Sequence, residues 1–396
     1  MSLTNFPLLT LWDATDHVID AVLGGSTSAR ARRMAMKAVQ EAYREIPARR
    51  NWRYYIRSLT INTVANQTDG SIAYYYTGGS SERMVTLTDA TWPSDVTKYA
   101  IYISGARYTI DTRVSSTVIT LRDGDCPTVD LASGTGYNLT RDTYEVPDNV
   151  REIYYLHDIN APGRMLPCVE PADIMHERRI MRSTAMPLLY GFYRSERYAG
   201  SMAVHFAPSP SSARTYQGNA LFWPLPLKVL DYKTGLASTT SGSATVTGTG
   251  TGFSSDMVGA VIRVSASGSK VIPTDLQGET DQNRLEPYAF QGVIKSVEST
   301  TSLTLEQDCD QTLTSSGYRI SSRIDIEAGA MRTAFLRCCE ARYETQDRRG
   351  ADDREARYEK ALALAMAADQ RVMDQNGRFY LPTNLADIAG SITPPV

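Results

Sequence analysis

Trp92-Pro93-Ser94-Asp95-Val96 runs into the apolar stretch Ala100-Ile101-Tyr102-Ile103-Ser104, and Phe253-Ser254-Ser255-Asp256-Met257 runs into Val261-Ile262-Arg263-Val264-Ser265. The chain thus opens one strand twice, each time with an aromatic residue and a Ser-Asp pair. Farther on, Ser115-Ser116-Thr117-Val118-Ile119-Thr120-Leu121 answers to Ser299-Thr300-Thr301-Ser302-Leu303-Thr304-Leu305, and an acidic turn with a cysteine follows each, Cys126 or Cys309. Gly136-Tyr137 and Gly317-Tyr318 close the two copies. Alternating β-branched or aromatic residues between clusters of Gly, Ser, Asp and Asn predict short half-buried strands joined by tight turns. The repeat unit is therefore a small antiparallel β-barrel or sandwich, carried at 58–142 and again at 238–323. Two copies separated by unrelated sequence read as a duplicated insert and not as a solenoid. The second copy has extra length at 268–288, rich in Asp, Gln, Asn, Glu and Pro, which is expected to be an exposed loop.

Outside the modules the pattern turns helical. In the N-terminal part, 1–57, Asp13 to Leu23 reads as a short helix with Val18, Ile19 and Val22 inward. A longer helix follows Ser26 to Ser28 and runs to about Ile46, before Pro47, with Met36, Val39, Tyr43 and Ile46 on one face. That helix and its flank carry Arg30, Arg32, Arg33, Lys37, Arg44, Arg49, Arg50, Arg53 and Arg57 against Glu41 and Glu45. Such a stripe faces DNA or an acidic protein surface, or is simply a solvated helix face. The central segment, 143–237, contains Val146-Pro147-Asp148, a strand at Ile153 to Leu156, a helix from Pro171 to about Thr184 and a strand-like Met202 to Phe206; it is expected to be a docking platform between the modules. Residues 324–373 predict an antiparallel helical hairpin with Met331, Phe335, Cys338, Tyr358, Leu362 and Ala365 inward. A Pro- and Gly-punctuated tail, 374–396, follows, with Phe379, Tyr380, Leu381, Leu385 and Ile388 as its apolar contacts; fully extended it reaches about 60 Å. The expected fold class is α+β: a helical bundle body with two inserted β modules and an extended C-terminal tail.

Composition narrows the function. The 396 residues are 42% hydrophobic and 21% charged, with a net charge of −3, so no global basic excess argues for nucleic-acid binding. No stretch approaches the roughly 20 apolar residues of a membrane span, and the N-terminus makes a poor signal peptide. The five cysteines lack paired metal or redox spacing and read as reduced thiols of a protein made in a cytosol. Catalysis is not expected. His17, His157, His176 and His205 are scattered, and no hydrolase, metalloprotease or phosphate-loop pattern occurs. Cys168 with His176 reads as structural, Asp123-Gly124-Asp125 as an acidic turn without the remaining calcium ligands, and Asp352-Asp353 as helix capping. No metal or cofactor is expected.

The layout carries a resemblance. A basic N-terminal helix ending in Ile46-Pro47-Ala48-Arg49-Arg50-Asn51-Trp52, inserted β material, the Val146-Pro147-Asp148 re-entry and a final charged hairpin with Tyr343 and Tyr358-Glu359-Lys360-Ala361-Leu362 resemble the head-to-tail adaptor (connector, neck) proteins of tailed bacteriophages. The stretch Val246-Thr247-Gly248-Thr249-Gly250-Thr251-Gly252-Phe253 is similar to modules common in phage virion proteins. The resemblance implies a homo-oligomeric ring, commonly of twelve subunits, made in the host cytoplasm and placed in the virion neck. Its tail segment (Phe379, Tyr380, Leu381, Leu385, Ile388) would dock under the portal protein, its basic helix (Arg30, Arg32, Arg33, Lys37) would contact ring neighbours or portal, and a downstream tail or nozzle protein would bind the other face. Genomic DNA would pass through the lumen without sequence-specific binding, and no membrane takes part. Near-zero net charge suits sliding DNA, because each neutralised phosphate adds affinity.

Two rival classes remain. A receptor- or carbohydrate-binding tail fibre or spike component needs exposed aromatics near a groove, for which Trp92 and Tyr74 to Tyr76 are the candidates, although alignment of Trp92 with Phe253 points to the core. A glycan hydrolase needs a carboxylate pair among the strand turns. Neither rival accounts for the helical hairpin and its apolar tail.

Overall fold

The computed structural model describes residues 8–23, 28–76, 79, 82–161, 164–180, 185–273, 288–347 and 351–376. In chain order, α1 (Leu11–Leu23) and α2 (Ala29–Arg49) precede β1 (Ile56–Asn62). The first module holds β2 (Ser71–Tyr75), β3 (Met84–Thr88), β4 (Ala100–Ile103), β5 (Ala106–Arg113), β6 (Val118–Leu121), β7 (Leu131–Thr135) and β8 (Tyr137–Thr140). Next come β9 (Thr143–Glu145), β10 (Val150–Asp158), β11 (Met165–Leu166), α3 (Pro171–Ile180), β12 (Leu189–Arg194), β13 (Met202–Ala207) and β14 (Thr215–Phe222). The second module holds β15 (Leu236–Thr239), β16 (Thr245–Thr249), β17 (Ala260–Val264), β18 (Phe290–Ser299), β19 (Ser302–Leu305), β20 (Leu313–Ser316) and β21 (Tyr318–Ser322), before α4 (Ala330–Asp347) and α5 (Ala351–Asn376). The chain forms two compact units, one from Tyr55–Trp223 and one from Met1–Tyr54 with Pro224–Val396.

The duplication extends to the hydrogen bonds. The sheet orders, β7-β2-β3-β6-β5-β4-β8 and β20-β15-β16-β19-β18-β17-β21, are the same order written twice. Only Gly136 separates β7 from β8 and only Gly317 separates β20 from β21, so one bent strand joins the two ends of each sheet. Each module is thereby a barrel or half-barrel whose two end strands are continuous through the chain. Trp92 N donates to Ser116 O at 2.7 Å as Phe253 N donates to Thr300 O at 2.9 Å, and Leu87 N to Thr117 O as Gly248 N to Thr301 O, both at 2.8 Å. The hydroxyls of Tyr137 and Tyr318 reach back to the carbonyls of Asp69 and Thr234. Gly70 and Gly235 start equivalent strands at φ +81° and +87°, where a Cβ would meet Thr88 O at 2.2 Å and Thr249 O at 2.5 Å. Glycine is the residue that fits both demands. Trp92 and Phe253 lie in the two cores, with Ile101, Ile119 and Leu139 in one and Ile262, Leu303 and Ile320 in the other.

The expected helical bundle body is not what the chain builds: the fold is mostly β, about 37% strand against 27% helix, with five described helices. The additional strands lie mainly in the central segment. There β1-β14-β10-β11 and β12-β13-β9 form two sheets around Leu59, Ile61, Tyr144, Ile153, Leu156, Val204, Phe206 and Tyr216. The apolar residues of this segment recur at strand spacing, and burying both sheets against each other satisfies them without helices. Gly218 lets β14 sit at the middle of its sheet, since a Cβ there would lie 1.8 Å from Tyr155 O, beside an irregularity in β10. The strand β1 pairs with β14 along its whole length and so belongs to this sandwich, while the first barrel begins at Ser71.

The remaining four helices belong to the other unit with the second barrel, α1 against α2 and α4, and α4 against α2 and α5. Thr10 and Asp13 cap α1 reciprocally, Thr10 N to Asp13 Oδ2 at 2.9 Å and Asp13 N to Thr10 Oγ1 at 3.2 Å. Helix α2 continues past the expected stop and holds Pro47 in its final turn, where Trp52 Nε1 donates to the Ile46 carbonyl at 2.8 Å. That bond satisfies one of the carbonyls a helix end leaves open. No described helix is long and apolar enough to cross a membrane. Phe379, Tyr380, Leu381, Leu385 and Ile388 lie outside the described residues, as does most of the 268–288 stretch.

Candidate interaction surface

Helix α2 is built with one apolar and one cationic side. Ser28 caps it, accepting from Ala31 N at 3.1 Å, and Ala31, Ala35, Ala38, Val39, Ala42, Tyr43 and Ile46 are buried. Arg30, Arg33 and Lys37 are exposed, and Arg44 joins them. At 3.6 residues per turn these four fall within about 60° of arc, opposite the buried side. Among the described residues Arg30, Arg33 and Arg44 make no ion pair, and Lys37 Nζ lies 3.9 Å from Glu41.

Arg32 separates from that stripe. Its guanidinium is 3.0 Å from Asp16 and lies 4.1 Å over the Trp12 ring, where Arg319 of β21 stacks at the same 4.1 Å. Arg32 therefore ties α2 to α1, and Trp12 ties α1 to the second barrel. Beside it Asp13 accepts two bonds from Arg263 of β17, at 2.7 and 2.8 Å, a bidentate buried pair. Arg319 is paired in turn with Asp231 at 2.9 Å.

The other helices are locked by a second network. Arg342 of α4 donates to Glu45 of α2 at 2.7 Å and to Glu355 of α5 at 3.0 Å, and the Tyr358 hydroxyl reaches Glu45 at 3.1 Å. Burial opposes the Glu45 charge, but the Arg342 and Arg49 hydrogen bonds outweigh it and hold the carboxyl down to about 2. Asp369 receives Arg50 at 3.3 Å, and His17 meets Glu340 at 2.9 Å.

In the first-barrel unit, polar chemistry concentrates at the exit of β8. Asp142 is fully buried among Arg107 of β5 at 2.7 Å, Arg197 at 3.3 Å and Arg178 of α3 at 3.5 Å. Burial alone would raise its pKa, but the three guanidiniums outweigh that and hold the carboxyl well below its usual value. Arg178 also donates to the carbonyls of Phe206 and Asp142, at 3.0 and 2.7 Å. His205 sits alongside, stacked on Tyr193 at 3.7 Å with Nδ1 3.2 Å from Thr143 Oγ1. Burial and then Arg178 push its pKa down to about 3, so the imidazole is neutral. The preceding Arg141 bonds Asp95 at 3.2 Å and the Tyr198 hydroxyl at 2.9 Å. The barrel is thus bolted to the sandwich by ionic groups whose hydrogen bonds are directed at one another.

Comparison with family models, curated proteins and solved structures gives no match. Among the described residues no group of three or more His, Cys, Asp or Glu is placed to hold a metal. Cys168 is exposed and all five cysteines are unpaired. Asp125 spends its carboxylate on Thr109 N at 2.9 Å, as an acidic turn does. Of the aromatic candidates, Trp92 is buried against Tyr137 and Tyr74 is buried with its hydroxyl on Pro127 O, whereas Tyr75 and Tyr76 are exposed. Sequence reading brought out the α2 stripe and missed the Asp142 and Asp13 joints. A charged pair such as Arg141-Asp142 at a strand end looks like a solvated turn, and its partners Arg178 and Arg197 lie far along the chain.

Proposed function

We propose that this chain is a structural virion subunit, a head-to-tail adaptor that assembles as an oligomeric ring in the neck of a tailed bacteriophage. The observation that carries the reading is the cationic stripe of Arg30, Arg33, Lys37 and Arg44, which faces outward on a helix whose other sides are packed and ion-paired. The rest of the framework suits a load-bearing role, because barrels and helices alike are fixed by buried ionic joints. The ring, commonly of twelve copies, docks under the portal protein and receives a downstream tail or nozzle protein on its other face. Genomic DNA passes through the lumen, and the net charge of −3 suits passage over tight binding. The resemblance to head-to-tail adaptors supplies the partners' identities. No metal or cofactor enters this reading.

The stripe is a surface feature, so its reversal leaves the fold intact. In co-sedimentation with portal rings at about 0.1 M salt, where screening is moderate, R30E/R33E/K37E is expected to lose most of its binding at unchanged thermal stability. Undiminished binding removes the stripe from the portal contact. Deleting 376–396 is expected to leave a folded protein that no longer docks, and full docking by the truncated chain removes the tail from the portal contact. The glycan-binding alternative loses Trp92 and Tyr74 to the core and keeps Tyr75 and Tyr76.

A further inference from the structure

The two barrels act as controls for each other at the end where β2 leaves the sheet and β7 enters it. In the first barrel the Tyr74 hydroxyl donates to Pro127 O at 3.0 Å and Tyr76 N donates to Asp130 Oδ1 at 2.7 Å. In the second barrel Thr239 Oγ1 donates to Gln311 O at 2.9 Å and Ser241 N donates to Thr312 Oγ1 at 3.0 Å. The backbone arrangement is kept, and the surface is not. Tyr75, Tyr76 and Val129 are 47%, 37% and 63% exposed in the first barrel. Thr240, Ser241 and Gln311 stand at the corresponding places in the second. Those apolar side chains are not needed to build the barrel, since its twin folds without them.

The same end is acidic. The side chains of Glu82 and Asp123 are 58% and 91% exposed, and Arg83, between them, stands 4.0 Å from each. Asp125 and Asp130 lie in the adjoining turn, and Arg122 is directed to Glu196 at 3.3 Å. Arg83 holds φ +59°, a backbone state costly for a non-glycine residue. Exposed tyrosine rings beside two carboxylates that share one arginine fit a cationic partner, through cation–π contacts and ion pairs together. The chain carries such a partner itself, in the α2 stripe, which extends over about 20 Å at 1.5 Å per residue and meets Glu41 at Lys37 alone among its four cations, in the described residues.

We propose that the acidic, tyrosine-bearing end of the first barrel is a socket for the α2 cationic stripe of a second copy of this chain. The proposal rests on the ring reading and deepens it: a heterologous ring needs two different, mutually complementary faces on each subunit, and these two are opposite in charge.

The test uses the full chain, alone in sedimentation velocity and on portal rings in electron microscopy, at low and high salt. Three variants are compared: R30E/R33E/K37E, E82K/D123K, and both sets on one chain. All the altered residues are exposed, and melting curves check that each variant folds. Either reversal alone is expected to weaken self-association by about tenfold or more, and the combined chain to recover it. The graft Y75T/Y76S/V129Q, which gives the first barrel its twin's surface, is expected to weaken association without lowering the melting temperature. Rings that form unchanged from the single reversals, or no recovery in the combined chain, overturn the socket while leaving the ring standing. A wild-type chain that adds no layer to a portal overturns the ring reading itself. A graft that assembles normally but loses retention on a glycan array identifies the tyrosine end as a saccharide site and overturns the socket.

Discussion

The two barrels share strand order, turn glycines and internal hydrogen bonds, yet they are fastened to their neighbours by different arrangements of charge. On the outward row of the first, Tyr102 stands across from Arg107 and Asn138; on the equivalent row of the second, Arg263 stands across from Gln291 and Arg319. The first barrel brings one arginine to a buried carboxylate, Asp142, which two further arginines from outside the barrel also surround. The second brings two arginines and meets two carboxylates, Asp13 and Asp231. The connection between the paired strands differs too, residues 104–105 in one and 265–289 in the other. After duplication the inward rows were held by packing, where a change of volume is felt at once. The outward rows answered to whatever each copy had to touch.

Breaking the joints separates the two cases. Asp142→Asn leaves three arginines without their shared carboxylate, and the cost is expected to be about 3–5 kcal/mol, the penalty of unpaired buried charge. Denaturant unfolding followed by near-ultraviolet absorption of the tyrosine-rich first unit checks it. Asp13→Asn should cost less, because Asp231 and the Trp12 ring still hold the row, and a cost equal to that at Asp142 would contradict the comparison.

Titration gives a second contrast. His205 has its folded pKa lowered from 6.5 to about 3, so the unfolded chain takes up its proton first. Stability from this group is full above the unfolded pKa and falls as pH drops from 6.5 towards 3, by up to about 1.4 kcal/mol per pH unit. His205→Gln should remove that slope from a melting curve series. Glu45, lowered from 4.5 to about 2, contributes stability that persists above the unfolded value and is lost only as pH falls through the range below it. An acid limb that begins near neutrality in the His205→Gln variant would contradict this division. The smallest effect belongs to Y75T/Y76S/V129Q, within about 0.5 kcal/mol as for ordinary surface positions.

The barrels were legible because each strand alternates inward and outward residues and the pattern occurs twice, so Trp92 could be read as core from Phe253 alone. Helices α1, α2, α4 and α5 were legible from their apolar spacing. The sandwich was not: its strands are contributed from both sides of the first barrel, and β1, 150 residues and more from β14 along the chain, shows its pairing only in three dimensions. The same distance hid the joints, since Asp13 meets Arg263 across 250 positions. For the interaction surface, Arg30, Arg33 and Lys37 were readable as a stripe, whereas Arg32, one residue away, is turned by the helix onto Trp12. A charge count along a sequence does not carry that rotation; the helical period does.

Assembly is decided by electron microscopy of the purified chain mixed with portal rings. The expected result is an added coaxial layer with one copy of this chain per repeat, the first barrel of each subunit against α2 of the next. Portal rings without added density, and this chain left monomeric beside them, would contradict it.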